Sequence, residues 1–292
     1  MELRQLNTLV TIAKVGNFTQ AGEILGYAQS TVTTQIQLLE QELNTKLFER
    51  LGKNVALTFQ GTKFLTYAQQ ILRLTAEAQQ AVAVGDTLKG SLTIGSVESL
   101  CVTLLPKIVK EFRHRYPEVE ISLKLGNCQE FNKLLWENKL DIAFFLDREI
   151  KLTDLTVAFS QSEPMVFLAA PDHPLTTKPS ITPEDLSGQP LILTGNGCGY
   201  RTVLENILAQ TGVRLITAME TGSIQAIKQF TIGGLGITVL PLSAVNEDVQ
   251  LQRLTILPWK GPDFKMLTQV VHHKDKWISP PLQAFLDLVK EF

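Results

Sequence analysis

Apolar residues recur at helical spacing near the start of the chain and predict two short helices. The stripe of the first helix is formed by Leu3, Leu6, Val10 and Ala13. Gly16 is a natural stop for that helix, and Thr19 is the predicted cap of the next one. Gly26 allows a sharp turn after the second helix. The inward positions of the second helix are expected to be Ala21, Ile24 and Leu25.

A third helix and a hairpin follow. The apolar face of this helix is predicted to carry Val32, Ile36, Leu39 and Leu43. On or beside its opposite face, near the N-terminus, lie the short polar residues Gln29, Ser30, Thr31, Thr33, Thr34 and Gln35. The hairpin is anchored by Leu47, Phe48, Val55, Leu57 and Phe59, while Arg50 and Lys53 project from it. Residues 1–60 are therefore predicted to form a winged helix-turn-helix.

This arrangement indicates a DNA-binding unit. The N-terminal part of the second helix of such a motif enters the major groove, where Gln pairs with adenine and Ser or Thr contacts bases or phosphates. A polar helix face can also be merely solvated, but the cations of the following hairpin favour phosphate binding. The candidate DNA-binding residues are Thr19, Gln29, Ser30, Thr31, Thr33, Thr34, Gln35, Arg50 and Lys53.

A long helix is predicted over residues 58–84, which contain no Pro. Its apolar seam comprises Leu65, Ala68, Leu72, Thr75, Gln79 and Val82, and the stripe is widened by Phe64, Ile71 and Ala78. Such a helix suits pairing with a second copy of itself, although packing on its own domain would produce the same pattern. The segment "GDTLKG", residues 85–90, is expected to break the helix and act as a hinge.

Residues 91–292 show a different pattern. Short apolar runs such as "SLTIG", "DIAFFL" and "GITVLP" alternate with stretches of helical periodicity. This alternation predicts an α/β domain with largely parallel sheets. Small ligands bind such sheets at the C-terminal ends of the strands.

Many residues of the first segment match one family in register. They are Gly16, Asn17, Phe18, Thr19, Ala21, Leu25, Gln29, Val32, Gln35, Ile36, Leu39, Glu40, Leu43, Leu47, Phe48, Arg50, Leu57, Thr58 and Gly61. The segment resembles the N-terminal domain of LysR-type transcriptional regulators, and the likeness continues through "FRHRYPEVEISL", "LDIAF" and "GGLGITVLP". The chain departs from the family pattern at Ala28, where a capping Ser is common, at Ser30 and Thr31 in place of Pro-Ala, and at Thr34, where a cation is common.

The resemblance implies a sequence-specific bacterial regulator of transcription that binds promoter DNA as a homodimer or homotetramer. It implies a linker-helix dimer and an effector-binding domain of periplasmic-binding-protein type with two Rossmann-like lobes. Lobe I is expected to comprise residues 91–161 and 267–292, and lobe II residues 162–266. A small effector is expected between the lobes, and no cofactor or metal is expected.

Ten residues at the predicted strand ends are candidates for contacts with the effector. They are Ser96, Glu98, Ser99, Asn127, Arg148, Asn196, Cys198, Tyr200, Arg201 and Thr221. Arg201, with Arg148, favours an anionic, carboxylate-like effector. Glu98 and Asp147 could instead neutralise these arginines in salt bridges within the protein.

The cysteines suggest an alternative. Cys101, Cys128 and Cys198 all lie near the predicted cleft, so a thiol-based redox sensor is conceivable. The absence of CxxC and of an export signal fits free thiols in a reducing cytoplasm. A solute-binding module of a transport system is a weaker alternative, because a DNA-binding pattern precedes the α/β domain.

Composition narrows the classes further. The chain of 292 residues carries a net charge of −2, and its first 90 residues are nearly neutral. DNA-binding domains are usually basic, so the prediction rests on the placement of a few cations, and each domain is expected to bind with modest affinity. No apolar run reaches membrane-spanning length. The four histidines lack metal-ligand spacing, and no catalytic motif stands out, so the protein is not expected to be an enzyme.

Overall fold

The computed structural model describes residues 1–51, 54–81, 88–214 and 216–292, with the side chains of residues 50, 51, 54, 77 and 79–81 outside this description. The chain divides into two compact units, Met1–Gly85 and Asp86–Phe292, and each is presented by itself. In the first unit the helices are α1 (Leu3–Val15), α2 (Phe18–Leu25), α3 (Gln29–Glu42) and α4 (Phe59–Ala81). Antiparallel strands β1 (Phe48–Leu51) and β2 (Asn54–Leu57) form the wing.

Short-range capping explains where the first helices begin and end. Gly16 and Gly26 adopt left-handed backbone conformations at φ 67° and 70°, as expected of glycines at helix C-termini. The predicted cap Thr19 is wrong, because Asn17 occupies this position. The Asn17 side chain accepts hydrogen bonds from the backbone amides of Thr19 and Gln20 at 2.8 and 3.1 Å. Thr19 lies instead in the first turn of α2.

Most of the core of the first unit lies where the sequence placed it, and the exceptions are in α1 and α2. Its buried members are Leu6, Leu9, Ile12, Ala21, Val32, Ile36, Leu39, Leu47 and Ala68. In α1 the buried stripe therefore runs through Leu9 and Ile12. Ile24, predicted to point inward, is 61% exposed. On α4, Leu65, Ala68 and Leu72 pack against this same core, so the seam predicted for dimerisation is used within the unit, while Gln79 and Val82 lie outside the described side chains.

A buried carboxylate connects the third helix to the wing. Glu40 of α3 accepts hydrogen bonds from the backbone amides of Leu47 and Phe48 at 2.9 and 3.3 Å, and from the Lys46 ammonium at 2.6 Å. Because these bonds satisfy amides at the start of the wing, they fix the wing's position relative to α3.

The second unit contains a five-stranded mixed sheet, which belongs to lobe I. Its strands are β3 (Gly90–Ser96), β4 (Val119–Leu125), β5 (Ile142–Asp147), β6 (Leu155–Glu163) and the last strand of the chain, β12 (Met266–His273). The spatial order is β4-β3-β5-β12-β6, with β3 parallel to β4 and β5, and β12 antiparallel to β5 and β6. The helices of this part are α5 (Glu98–Thr103), α6 (Leu105–Arg115), α7 (Cys128–Trp136) and α11 (Pro280–Val289). Phe285 of α11 packs on Phe112 and Phe144, which joins the end of the chain to this sheet.

Lobe II contains the remaining strands. These are β7 (Met165–Ala169), β8 (Pro190–Leu193), β9 (Ile216–Glu220), β10 (Thr238–Pro241) and β11 (Thr255–Leu257). Strand β7 pairs antiparallel with β10 and β11, β8 pairs parallel with β9, and a parallel bridge from Leu191 to Ile237 links the two groups. The helices are α8 (Gly199–Gln210), α9 (Ile224–Ile232) and α10 (Leu242–Gln250).

The predicted α/β class is confirmed, and the sheets are mixed, with parallel pairs and one antiparallel strand in each lobe. In lobe II, β7 runs antiparallel to β10 and β11. In lobe I, β12 runs antiparallel to β5 and to the edge strand β6, so β6 and β12 form an antiparallel pair. They carry the chain between the lobes, so their direction is set by the crossover and not by a strand-helix-strand repeat. The helical stretch after β3 is divided into α5 and α6 at Leu104.

Gly61 provides a test of the packing between α4 and the wing. A Cβ at this position would lie 2.0 Å from the backbone oxygen of Leu47. We expect Gly61→Ala to lower the free energy of unfolding of the first unit by about 1–3 kcal/mol, because backbone must shift to admit the methyl group. Thermal unfolding followed by circular dichroism measures the loss. Gly195→Ala is the matched control, since no atom lies within 4 Å of its added Cβ; equal midpoints for the two variants would contradict the packing described.

Candidate DNA-binding surface and effector cleft

The N-terminal half of α3 presents a polar surface. Gln29, Ser30, Thr31 and Thr34 are exposed and Thr33 is half-buried. Ala28 precedes the helix without a side-chain cap, so the first amides of α3 are left without that partner. An uncapped helix N-terminus with small polar side chains is suited to contact phosphate and base edges.

Hydrogen bonds within α3 orient part of this surface. The Gln29 Nε2 donates to Thr33 Oγ1 at 2.9 Å, and the Thr33 hydroxyl donates to the Gln29 carbonyl at 3.0 Å. Thr34 donates in the same way to the Ser30 carbonyl at 3.0 Å. These bonds do not use the Oε1 of Gln29, and Gln29 is exposed in the first turn.

Gln35 does not belong to this surface. It is 9% exposed, and its Oε1 accepts a hydrogen bond from the buried Thr8 hydroxyl of α1. Its predicted place beside the polar face is wrong, because Gln35 lies next to Ile36 on the side that packs on α1. In its stead Gln37 is exposed and continues the line of Gln29 and Thr33 at four-residue spacing, a signal that was present in the sequence.

Two candidates for phosphate contacts fall at the limits of the described residues. Arg50 has its backbone in β1, opposite Val55, and its side chain is outside the description. Lys53 lies outside the described residues. Thr19 is exposed in the first turn of α2, where its backbone amide is already bound by Asn17.

A cavity of about 170 Å³, open to solvent on one side, lies between the two lobes of the second unit. Its wall is built largely from the turns that follow β3, β4, β8 and β9, at the N-terminal ends of helices. Six of the predicted effector residues line it, namely Glu98, Ser99, Asn127, Asn196, Cys198 and Tyr200. The lining also includes Thr194, Gly126, Leu146 and Ile224. The last three have no polar side chain, so nothing in the sequence marked them as residues of a binding site.

Glu98 crosses the cavity from one lobe to the other. Its Oε2 accepts a hydrogen bond of 2.5 Å from the backbone amide of Ile224, in the first turn of α9. Burial raises the pKa of the Glu98 carboxyl, while the hydrogen bonds from Ile224 and the Ser223 side chain act in the opposite direction. The carboxylate of lobe I thus occupies an anion position at a helix of lobe II.

The two arginines expected to bind an anion lie elsewhere. Arg201 pairs with Glu205 at 2.8 Å and with Glu220 at 2.7 Å, and it donates to the Thr194 carbonyl at 2.6 Å. It is therefore neutralised, but not by the carboxylates considered from the sequence. Arg148 is exposed and, like Arg201, is not part of the described cavity wall.

Two other candidates are also turned away from the cavity. Ser96 is fully buried and donates to the Val97 carbonyl at 2.9 Å. Thr221 accepts a hydrogen bond from the amide of Ser223 at 3.3 Å. Both lie at strand ends as predicted, but their hydroxyls serve the local turns.

The cysteines are held as protonated thiols. Burial raises the pKa of Cys198, and burial together with the nearby Asp147 carboxylate raises the pKa of Cys128. Burial and the charge of Glu98 raise the pKa of Cys101, which is not part of the described cavity wall. Because the thiolate is the reactive form, these surroundings slow oxidation and alkylation.

The comparisons with known proteins agree with this architecture. Residues 3–62 match the family described as "Bacterial regulatory helix-turn-helix protein, lysR family", and residues 85–292 match "LysR substrate binding domain". The chain belongs to the LysR family. It is a helix-turn-helix transcriptional regulator with an effector-binding domain, and the predicted family and fold are confirmed.

Relatives of this LysR-type regulator match along nearly its whole length. The helix-turn-helix transcriptional regulator YwqM of Bacillus subtilis is 43% identical to this chain. The alignment covers 100% of this chain and 99% of YwqM. The transcriptional activator CmpR of Synechocystis sp. is 31% identical, and the alignment covers 98% of this chain and 93% of CmpR.

Solved structures share the fold of this LysR-type regulator. A variant of full-length OxyR from Pseudomonas aeruginosa superposes with a TM-score of 0.75 at 24% identity, covering 99% of this chain and 95% of that one. Full-length CbnR complexed with its target DNA has a TM-score of 0.72 at 22% identity, and the match covers 100% of this chain and 99% of CbnR. Among the described residues, no helix is long and apolar enough to cross a membrane, and no cluster of His, Cys, Asp and Glu could hold a metal ion.

The buried position of Gln35 gives a stability prediction. We expect Gln35→Ala to lower the free energy of unfolding by about 1–3 kcal/mol, because the buried Thr8 hydroxyl loses its acceptor. Gln37→Ala, an exposed change on the same helix, is the control and should leave unfolding unchanged. Urea unfolding of the two variants measures the difference. If Gln35→Ala proved as stable as the control, the buried hydrogen bond would be disproved.

The raised thiol pKa values give a reactivity prediction. We expect Cys128 and Cys198 in the native protein to react with iodoacetamide at neutral pH more slowly than free cysteine does, because the thiolate fraction is lowered. The rate should rise as the pH is brought above the usual thiol pKa of about 8.5. Mass spectrometry of the alkylated peptides measures it, with the protein unfolded in guanidinium as the control. Faster alkylation of the native thiols would contradict the environment described.

Proposed function

We propose that the protein binds promoter DNA as a homodimer or homotetramer through the N-terminal half of α3 and that a small effector between the lobes controls this binding. The observation that carries the DNA-binding surface is the row of exposed Gln, Ser and Thr side chains at the uncapped start of α3. Such groups bind base edges in the major groove, and uncharged readers suit a first unit that is nearly neutral.

Within this surface Gln29 is the leading base reader. Its Nε2 donates to Thr33, which restrains the side chain. The amide group of Gln29 can accept from the amino group of an adenine and donate to its N7. Ser30, Thr31 and Thr34 lie beside it and fit phosphate or base contacts. Arg50 and Lys53 of the wing complete the proposal as phosphate contacts outside the reading helix.

The proposed dimer uses the part of α4 that its own unit leaves uncovered. Tyr67 and Leu74 are 64% and 60% exposed and lie seven residues apart on one face of the helix. Another face of the helix, with Ala68, is packed in the core that α4 shares with α1. An apolar stripe at this spacing fits pairing with the same helix of a second chain.

The proposed effector site is the cavity between the lobes. Its size suits a small metabolite, and its wall combines helix N-termini, hydroxyls and one carboxylate. The hydrogen bond from Ile224 to Glu98 joins the two lobes directly at this cavity. An effector that replaces or strengthens this contact changes the relative stability of the lobe arrangements, and so shifts their populations.

The thiol-based alternative has less support. A redox-sensing thiol needs a lowered pKa and access to oxidant, whereas the pKa is raised for Cys101, Cys128 and Cys198. The cavity therefore favours a bound effector over covalent oxidation of the protein.

Changing the leading reader tests the DNA-binding proposal. We expect the double variant Gln29→Ala, Thr33→Ala to lose about 1–3 kcal/mol of discrimination between operator and random DNA, because a bidentate base contact is removed. Quantitative footprinting and fluorescence anisotropy measure affinity for both sequences. Gln41→Ala, an exposed change in the second half of α3, is the control. An operator footprint of unchanged strength in the double variant would overturn this assignment.

A further inference from the structure

The cavity between the lobes is bordered by two carboxylates and, in the described part of its wall, by no Lys or Arg. Glu98 is part of the wall. Asp147 lies behind Gly199, where an added Cβ would come within 2.6 Å of the Asp147 carboxyl carbon. Neither carboxylate forms an ion pair among the described residues. Glu98 is hydrogen-bonded to the amide of Ile224 and the side chain of Ser223, and Asp147 to the amide of Arg148 and the thiol of Cys128.

The cations that could have balanced them are held away. Arg201, which follows the cavity residue Tyr200, is committed to Glu205 and Glu220. Arg148, next to Asp147 in the sequence, is exposed and is not part of the described wall. The helix N-termini supply only partial positive charge, about half an elementary charge each. A second carboxylate brought in by an effector would therefore meet like charge at Glu98 and no side-chain cation in compensation.

A second, independent feature of the same wall points to a ligand. Thr194 lines the cavity and is only 8% exposed. Its Oγ1 lies near the Cys198 and Tyr200 side chains but forms no hydrogen bond of normal geometry among the described residues. A buried hydroxyl without a partner costs free energy, and a bound molecule that supplies a partner recovers it.

We propose that the effector is a small organic amine whose ammonium group binds Glu98 and whose remaining polar end hydrogen-bonds to Thr194. The ammonium replaces the missing counter-charge of a partly buried carboxylate, and a charged hydrogen bond of this kind is among the stronger polar contacts in proteins. This inference rests on the proposed effector site and defines the chemical class that the site selects.

Three probes that share one carbon-chain length test the charge preference. Putrescine carries two ammonium groups, γ-aminobutyrate carries one ammonium and one carboxylate, and succinate carries two carboxylates. Isothermal titration calorimetry with the full-length protein should give the tightest binding for a probe with an ammonium group and the weakest for succinate. In Glu98→Gln we expect the affinity for putrescine to fall about tenfold or more, because the charge is removed. Affinity for succinate should stay equal or rise. The glutamine retains an oxygen that can accept the bond from Ile224.

Glu247→Gln is the matched control, since it removes the same charge from an exposed position of α10 in lobe II. It should leave all three affinities unchanged. Thr194→Val provides a second variant, which should weaken amine binding while leaving the preference for amine over succinate intact. Tighter binding of succinate by the wild type, no binding of any probe at millimolar concentration, or equal effects of Glu98→Gln and Glu247→Gln would each overturn the proposal. Operator footprints of the wild type and Glu98→Gln are measured in parallel, so failure of DNA binding remains distinguishable from failure of the amine assignment.

Discussion

Unpaired backbone amides at helix N-termini are the constraint on which the effector cleft depends. The turns after β3, β4, β8 and β9 all lead into helices whose first amides cannot bond within the helix. The protein satisfies several of them locally, through Asn127 at α7 and Ser223 at α9. At α9 it also uses Glu98, a carboxylate from the opposite lobe. The contact between the lobes is therefore part of the way in which a helix end is stabilised.

Much of the fold could be predicted from the sequence because local patterns specify it. The alternation of apolar runs and helical stretches was enough to predict the α/β class of the second unit. Gly16 and Gly26 correctly marked the ends of the first two helices. The paired strands around residues 155–163 and 266–273 were harder to foresee. Their antiparallel direction follows from the crossover between lobes, which is a property of the whole chain and leaves no period in the local sequence.

The sites show where sequence reasoning ends. Helical spacing located the polar start of α3. It could not determine whether residues at the border between the polar and apolar faces are exposed or buried. Gln35 is such a residue, and it is buried against α1, where it bonds to Thr8. Asn17 and Thr19 are both good capping residues, and only the backbone geometry selects Asn17. The position of Arg201 was equally open. Its commitment depends on Glu220, which comes from a neighbouring strand and has no fixed sequence distance from it.

The predicted strand ends supplied the candidate residues of the cleft, but the charge that a ligand meets there depends on how the charged residues are paired. Arg148 and Arg201 lie outside the described wall of the cleft, whereas Glu98 lies within it. The preferred charge of the ligand is therefore different from the one that the residue types alone suggest. Residue identity alone does not give the charge that a ligand meets, because pairing decides which charges remain.

The packing of α1 has a mechanical consequence. This helix contacts α2, α3 and α4, its Thr8 is bonded to Gln35 of α3, and its apolar side shares a core with Ala68 of α4. Helix α3 and the first half of α4 therefore share one packed core, and the wing is attached to it through Glu40. A rotation of this part of α4 is expected to carry α3 with it, because separating the two helices would expose the core that they share with α1.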